Sequence, residues 1–248
     1  MTLTRPYKRI ARPFDKPTGC YSGEIDVSYL VDHEFAPGRT TAIRGYHAIE
    51  ADLRRLFEYV EPHDKNLKTF STRLYEIFLR ASTEFESNCK SILTANGYAR
   101  VGDWNMNDYK KIEAATRLSE YRMRVEIWAD SPRLLQPLSA WAGGGGLQWY
   151  QDYNTVKHHR TDKFDLANLR NTVDAVASLF AILFAQFHIL AFSEQELVAM
   201  HHEWDGWNAH HDSIFWIKCP TSWDLNECYG FQNADLATMN PKFDLFTF

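Results

Sequence analysis

A chain of 248 residues with 45% apolar and 24% charged side chains carries ample material for a hydrophobic core, which excludes a disordered tail or a polyelectrolyte. Its formal net charge of −5 excludes general coating of nucleic acid and leaves only a local basic patch for that purpose. Four widely spread cysteines without C-x-x-C spacing read as free thiols of a cytoplasmic protein, with Cys219 and Cys228 the pair close enough to bridge in an oxidising compartment.

In chain order, residues 1–41 are turn-rich and hold four prolines. They contain one plausible strand, Glu24 to Leu30, and wrap the body; the basic N-terminus has no apolar run behind it and is not a signal peptide. Ile49, Leu53, Leu56 and Val60 fall at helical spacing and predict a helix from Ala42 to Val60, stopped by Pro62. A second helix starts at Ser71 or Thr72 and reaches Ala95, where Asn96-Gly97 ends it. Its stripe is Leu74, Phe78, Ala81, Phe85, Cys89 and Ile92. A short helix follows over Asn107 to Arg117.

Tyr121 to Trp128 alternates: Tyr121, Met123, Val125 and Ile127 against Arg122, Arg124 and Glu126. That pattern predicts a half-buried strand with a basic outer face. Pro132 and Pro137 punctuate a loop, and Gly143 to Gly146 form a hinge. Helices are expected over Leu147 to His159 and Asp165 to Phe192. Within the latter, Ala175 to Phe192 approaches the length of a membrane span, but Ser178, Gln186 and His188 interrupt it and it continues an amphipathic helix. It reads as a buried central helix, with no membrane partner. From Ser193 the tail mixes a short helix, a strand over Ile214 to Lys218 and aromatic loops. The expected fold is therefore mainly α, a helical bundle with a small β addition and irregular N- and C-terminal extensions, in a single domain spanning 1–248.

The run WYQDYNTVKHHR, Trp149 to Arg160, is the chief functional candidate. On a helix Asn154 lies three residues before Lys157 and four before His158, so the three share one face, bordered by Tyr150 and Tyr153. An amide, an ammonium and an imidazole on one patch suit a phosphodiester. Histidine moves a proton near neutral pH, lysine meets phosphate charge and the amide orients an oxygen. Glu86 and Lys90 on the second helix form an i,i+4 pair nearby. The plain alternative is a solvated basic helix end beside a tyrosine pair.

The second helix, the Trp149 to Arg160 run and the long alanine- and leucine-rich helix together resemble bacterial HEPN-type helical domains. The likeness covers about Ser71 to Phe187 within an expected core of 71–192, between an N-terminal wrap (1–41) and an aromatic extension (193–248). The family motif is arginine, a polar residue, three further residues, then histidine. Asn154 matches the polar position and His158 the histidine, while Tyr153 stands where the family has arginine. Glu86 and Lys90 resemble the charged pair that such domains place on an earlier helix. The resemblance implies a metal-independent endoribonuclease of toxin or antiphage-defence type. Its partners would be RNA or a nucleotide, a second copy of the chain in a homodimer, and an antitoxin or defence-complex protein. It implies no cofactor.

In that reading His158 is general acid or base, Lys157 offsets phosphorane charge, Asn154 positions the phosphate, and Glu86 holds Lys157 or His158, or else simply pairs with Lys90. Tyr153, Arg160, Lys90 and Arg124 contact substrate, with Lys157, Arg160 or Arg124 replacing the missing arginine. Two further readings stay open: a catalytically silent HEPN-like binding module and a structural subunit of a defence complex. The doublets His201-His202 and His210-His211 read as a polar surface loop rather than a metal site, as they match no H-E-x-x-H pattern. The four glycines lack the lysine and hydroxyl of a phosphate loop, and no nucleophile elbow is visible. The closing Phe243 to Phe248 reads as core cover, or as a dock for a second copy or a partner.

Overall fold

The structure is a computed structural model that describes residues 1–14, 27–192, 200–203, 205–210 and 212–248. Helix α1 (Arg39–Leu56) buries Ile43, Tyr46, Ile49, Leu53 and Leu56 at helical spacing. Helix α2 (Thr72–Ala95) begins where the Ser71 hydroxyl accepts the Leu74 amide at 3.1 Å. It ends at Asn96, followed by Gly97 at φ +76°, a left-handed position that suits glycine. Short helices α3 (Met106–Tyr109) and α4 (Glu113–Thr116) flank a 3-10 turn and fill the expected helical stretch from Asn107. Strands β1 (Arg122–Val125) and β2 (Arg133–Leu135) precede α5 (Gln148–His158), α6 (Arg160–Lys163) and α7 (Leu169–Phe187). Strands β3 (Met200–His202), β4 (Trp207–His210) and β5 (Phe215–Lys218) and helix α8 (Asn233–Leu236) follow. About half of the chain is helical, so the fold is mainly α with a small antiparallel sheet.

Beyond Asp174, α7 is apolar on nearly every face, so nearly every face must be covered. The stretch Leu169–Ala191 has a mean hydropathy of 1.9, and 89% of its most apolar window is buried against α1, α2, α5 and the sheet. Phe180 joins three layers, stacking on Tyr46 of α1 at 5.4 Å and on Phe215 of β5 at 5.9 Å. The sheet runs β2-β1-β5-β4-β3, all neighbours antiparallel. Met123 and Val125 of β1 are fully buried, while Arg122 and Arg124 face outward, as the alternation predicts. The two chain ends lie together: Leu3 bridges to Tyr229 and Tyr7 to Asp244, and the Ala11 amide donates to the Ala185 carbonyl of α7 at 2.8 Å.

The structure departs from the sequence-based expectations at several points. Val27–Val31 is a 3-10 helix, not the end of a strand, and 24–26 lie outside the described residues. Helix α1 stops at Leu56, leaving Val60 in a turn. The long helix starts at Leu169, where the Asn168 side chain caps the Asn171 amide at 3.1 Å. It stops at Phe187 because His188 takes φ +50°. Strand β1 ends before Ile127, which is 48% exposed. The residues between Pro132 and Pro137 form β2 rather than only a loop. His201-His202 and His210 lie on paired strands β3 and β4, not in a surface loop; His211 lies outside the described residues. Gly143 to Gly146 form a hydrogen-bonded turn, with Gly144 at φ +70° donating to the Trp141 carbonyl. Cys89 and Cys228 are buried free thiols but Cys219 is disulfide-bonded, so the expectation of four free thiols fails; Cys20 lies outside the described residues. Phe246 and Phe248 pack on Tyr7 and Tyr98 of the same chain.

Two measurements test this packing. Phe180→Ala is expected to cost about 3–5 kcal/mol in chemical denaturation, since it opens a cavity between three layers; a loss below 1 kcal/mol, on the order of a surface change, would refute the assignment. Burial raises the Asp174 carboxyl on α7 to about 6, with Arg133 and Arg170 acting the other way. A carboxyl raised on folding favours the folded state below its ordinary value of 3.8, and that contribution is lost as pH climbs to about 6. The charged form therefore destabilises at neutral pH. Asp174→Asn is expected to raise stability at pH 7 by up to about 3 kcal/mol and to add nothing below pH ~3.5. Denaturation at the two pH values decides.

Candidate functional site

The residues Trp149, Tyr150, Tyr153 and Val156 anchor α5 by burial on the body. Trp149 packs edge-on against Phe85 of α2 at 5.4 Å and donates its indole N–H to the Pro137 carbonyl at 3.2 Å. Tyr153, only 1% exposed, packs edge-on against Phe78. These contacts leave the stripe Tyr150, Tyr153, Asn154 and Lys157 against one flank of α2, since residues three and four apart share a helix face.

Two phenols organise that stripe. The Tyr150 hydroxyl donates to Glu86 Oε1 at 2.6 Å, and Asn154 hydrogen-bonds to the same phenol. Burial, and then the Glu86 carboxylate, push the Tyr150 phenol well above its ordinary 10.0. The Tyr153 hydroxyl accepts from Lys157 Nζ at 3.1 Å and lies 3.5 Å from Thr83 Oγ1. That bond, and more weakly Glu86, favour the charged Lys157 ammonium and raise its pKa. Tyr109 stands beside them, raised by burial and then by Glu86, and donates to the Trp104 carbonyl at 3.0 Å.

Glu86 and Asn154 therefore meet at the Tyr150 hydroxyl and Lys157 at the Tyr153 hydroxyl, the two rings lying 5.5 Å apart. His158 does not join them. It closes α5 as an exposed residue, about 100° round the helix from Lys157, and makes no hydrogen bond or ion pair with the described residues. Lys90 is exposed with its ammonium 5.8 Å from the Tyr109 ring, and the expected Glu86–Lys90 ion pair is not formed, because Glu86 turns to Tyr150. Arg160 remains at the same end of α5, its guanidinium 4.5 Å from the Tyr75 ring and 5.4 Å from Phe164. Arg124 belongs to the sheet instead. It makes two 3.0 Å bonds to Glu203, pairs with Glu126 and lies between the Trp207 and Trp216 rings. It is thus not a substitute for the motif arginine at α5. Tyr150, Tyr109 and Thr83 are the participants that motif matching passes over; the tyrosine spacing in the run is the available signal.

The chemistry open to this arrangement follows from what reaches solvent. Lys157, His158, His159 and Arg160 are four consecutive exposed residues able to carry positive charge, with Lys163 one turn on. Asp162 and Asp165 temper the patch. No carboxylate of the described residues orients His158, so neither of its nitrogens is pre-set as base. Among the described residues no three His, Cys, Asp or Glu side chains gather to hold a metal. The cavities of about 390 Å³, beside His63 and Arg133, and about 300 Å³, beside Arg122 and Lys218, are not lined by α5. No protein-family model matches the chain, and no curated protein or solved structure is significantly similar to it, so the HEPN likeness rests on its motif residues alone.

A group whose value is raised on folding loses its stabilising contribution as pH rises past the ordinary value. Tyr150 and Tyr109 therefore make stability fall above pH 10.0, the ordinary phenol value. Tyr150→Phe is expected to cost about 1.5–3 kcal/mol at neutral pH, the range for a bond to a charged group, and to flatten that alkaline fall. Denaturation melts across the alkaline range, followed with phenolate absorbance, check both; an unchanged slope would overturn the Tyr150–Glu86 hydrogen bond.

Proposed function

We propose that this is an HEPN-like, RNA-directed protein that grips the RNA backbone at the C-terminal end of α5. The observation that carries the reading is the exposure of Lys157, His158, His159 and Arg160 in one consecutive run while the aromatic residues beneath them are buried. Ammonium and guanidinium groups meet phosphate charge, and the half-exposed amide of Asn154 orients an oxygen. Tyr153 in the arginine position favours binding over cutting. A phenol that is 1% exposed and already bonded to Lys157 offers no charge to a phosphorane.

Cleavage is the second reading, favoured by one observation: the His158 imidazole is open to solvent one helical turn after Asn154. In that reading neutral His158 takes the proton of a ribose 2′-hydroxyl, and that oxygen attacks the adjacent phosphorus. The 5′-oxygen leaves with a proton from water, giving a 2′,3′-cyclic phosphate and a free 5′-hydroxyl. A toxin or antiphage-defence setting, with two copies pairing their basic ends and an antitoxin or defence subunit as partner, belongs to the same proposal.

Fluorescence anisotropy with a labelled single-stranded RNA tests binding at two salt concentrations. Lys157→Gln with Arg160→Gln is expected to weaken binding at least about tenfold and to lower the salt slope by about 2, one for each phosphate no longer neutralised. Affinity unchanged in that double variant refutes the proposal. Cleavage is assayed separately in EDTA; degradation by His158→Ala at the parent's rate removes the second reading.

A further inference from the structure

The basic outer face of β1 plays no part in the α5 reading and carries an inference of its own. Arg122 and Lys218 are direct partners across the β1–β5 ladder. Directly opposed residues of an antiparallel pair project to the same side with Cβ atoms about 4.5–5.5 Å apart, and like charges there are destabilising. Neither cation forms an ion pair with a carboxylate of the described residues, and the Lys218 ammonium lies 5.9 Å from the Trp207 ring. The next outward residue shows the contrast: Arg124, two positions along the same strand, is neutralised by Glu126 and Glu203.

Arg122 and Lys218 are both among the residues that line the cavity of about 300 Å³. Gln136, Ser139 and Thr221 line it too, exposed and with side chains that bond to no described residue. The disulfide-bonded Cys219 lines the cavity beside Pro220 and Thr221. The one carboxylate on the wall, Glu120, is turned to the Ser222 hydroxyl at 2.5 and 2.6 Å and to Arg117 at 3.7 Å.

We propose that Arg122 and Lys218, with the amide and hydroxyls around them, form a binding site for a phosphate dianion, free or as the terminal group of a small phosphomonoester. A guanidinium offers two parallel donors to such an oxyanion and the ammonium adds a point charge, while the neutral donors complete a tetrahedral shell. The cavity sits at the small end of ligand pockets, which suits one phosphate with a short tail rather than a strand of RNA. The anion removes the repulsion that the ladder otherwise tolerates.

Isothermal titration calorimetry of the full chain, in a buffer free of phosphate and sulfate, uses inorganic phosphate in one arm and adenosine monophosphate in the other. Saturable one-to-one binding of either probe is expected; phosphate alone identifies the free oxyanion, and tighter binding of the monophosphate identifies a phosphomonoester. Arg122→Gln, at an exposed position, is expected to weaken binding about tenfold or more. It should also melt at a higher temperature than the parent when no ligand is present, since it removes one of two opposed like charges. Lys218→Gln provides the second variant. Absence of saturable binding in both arms overturns the proposal, as does affinity unchanged in both variants. The RNA affinity of Arg122→Gln should equal that of the parent; if it falls, the site is not separate from the α5 surface.

Discussion

Near-complete burial of α7 is the constraint from which the rest of the architecture follows. Each large apolar side chain taken out of water contributes about 1.5–3 kcal/mol, and α7 carries such residues on all sides. A helix apolar on one stripe needs one neighbour, but this one needs a full sleeve. Helices α1, α2 and α5, the sheet and the entwined chain ends supply it. The amphipathic stripes of α1 and α2 are the matching halves of that demand. So is the inward alternation of Met123, Val125, Phe215 and Ile217.

Gln186 shows how a polar group enclosed with the core helix is paired rather than excluded. Gln186, fully buried, accepts from Arg9 at 2.7 Å and donates to Asn88 at 3.0 Å, tying the N-terminal segment and α2 to the end of the core helix. Net hydrogen bonds of this kind add only about 0.5–1.5 kcal/mol each, but leaving Arg9 or Gln186 unpaired would cost more than either bond adds. The apolar surface drives the assembly, and these bonds decide which arrangement it takes.

Periodicity makes the helical part of the fold legible. Ser71 with its stripe delimits α2, and Asn96-Gly97 ends it, because capping and left-handed backbone are local properties written in single residues. The strands are less so. β2 is three residues long between two prolines, and β3 and β4 carry histidine and asparagine where a pattern reader expects a loop. β3 pairs with β4 and β4 with β5 across short connections, while the pairing of β5 with β1, Lys218 opposite Arg122, is a long-range choice that no local window records. At the candidate site, spacing places Asn154 and Lys157 on one face, but Glu86 binds Tyr150 and Lys157 binds Tyr153, residues that spacing marks only as borders. Spacing gives a face; it does not give the partner that a side chain selects from a neighbouring helix. Arg124 shows the same limit, since its two carboxylates come from residues 126 and 203.

Charge distribution supplies the last step. A chain with net charge −5 repels polyanions on average, so any oxyanion it binds must be held where cations outnumber nearby carboxylates. Many arginines here are already committed, among them Arg73 and Arg80 to Asp52, Arg100 to Asp108, Arg117 to Glu227 and Arg124 to Glu203. Those pairs are structural, and breaking them for a ligand would leave carboxylates stranded. The end of α5 and the Arg122–Lys218 rung differ because their cations meet rings or solvent instead of carboxylates. A ring contact is worth about 0.5–1 kcal/mol at an exposed site, little enough for an arriving phosphate to displace or add to it without loss of structure. The interaction energy left unspent inside the fold is what either surface has available for a ligand.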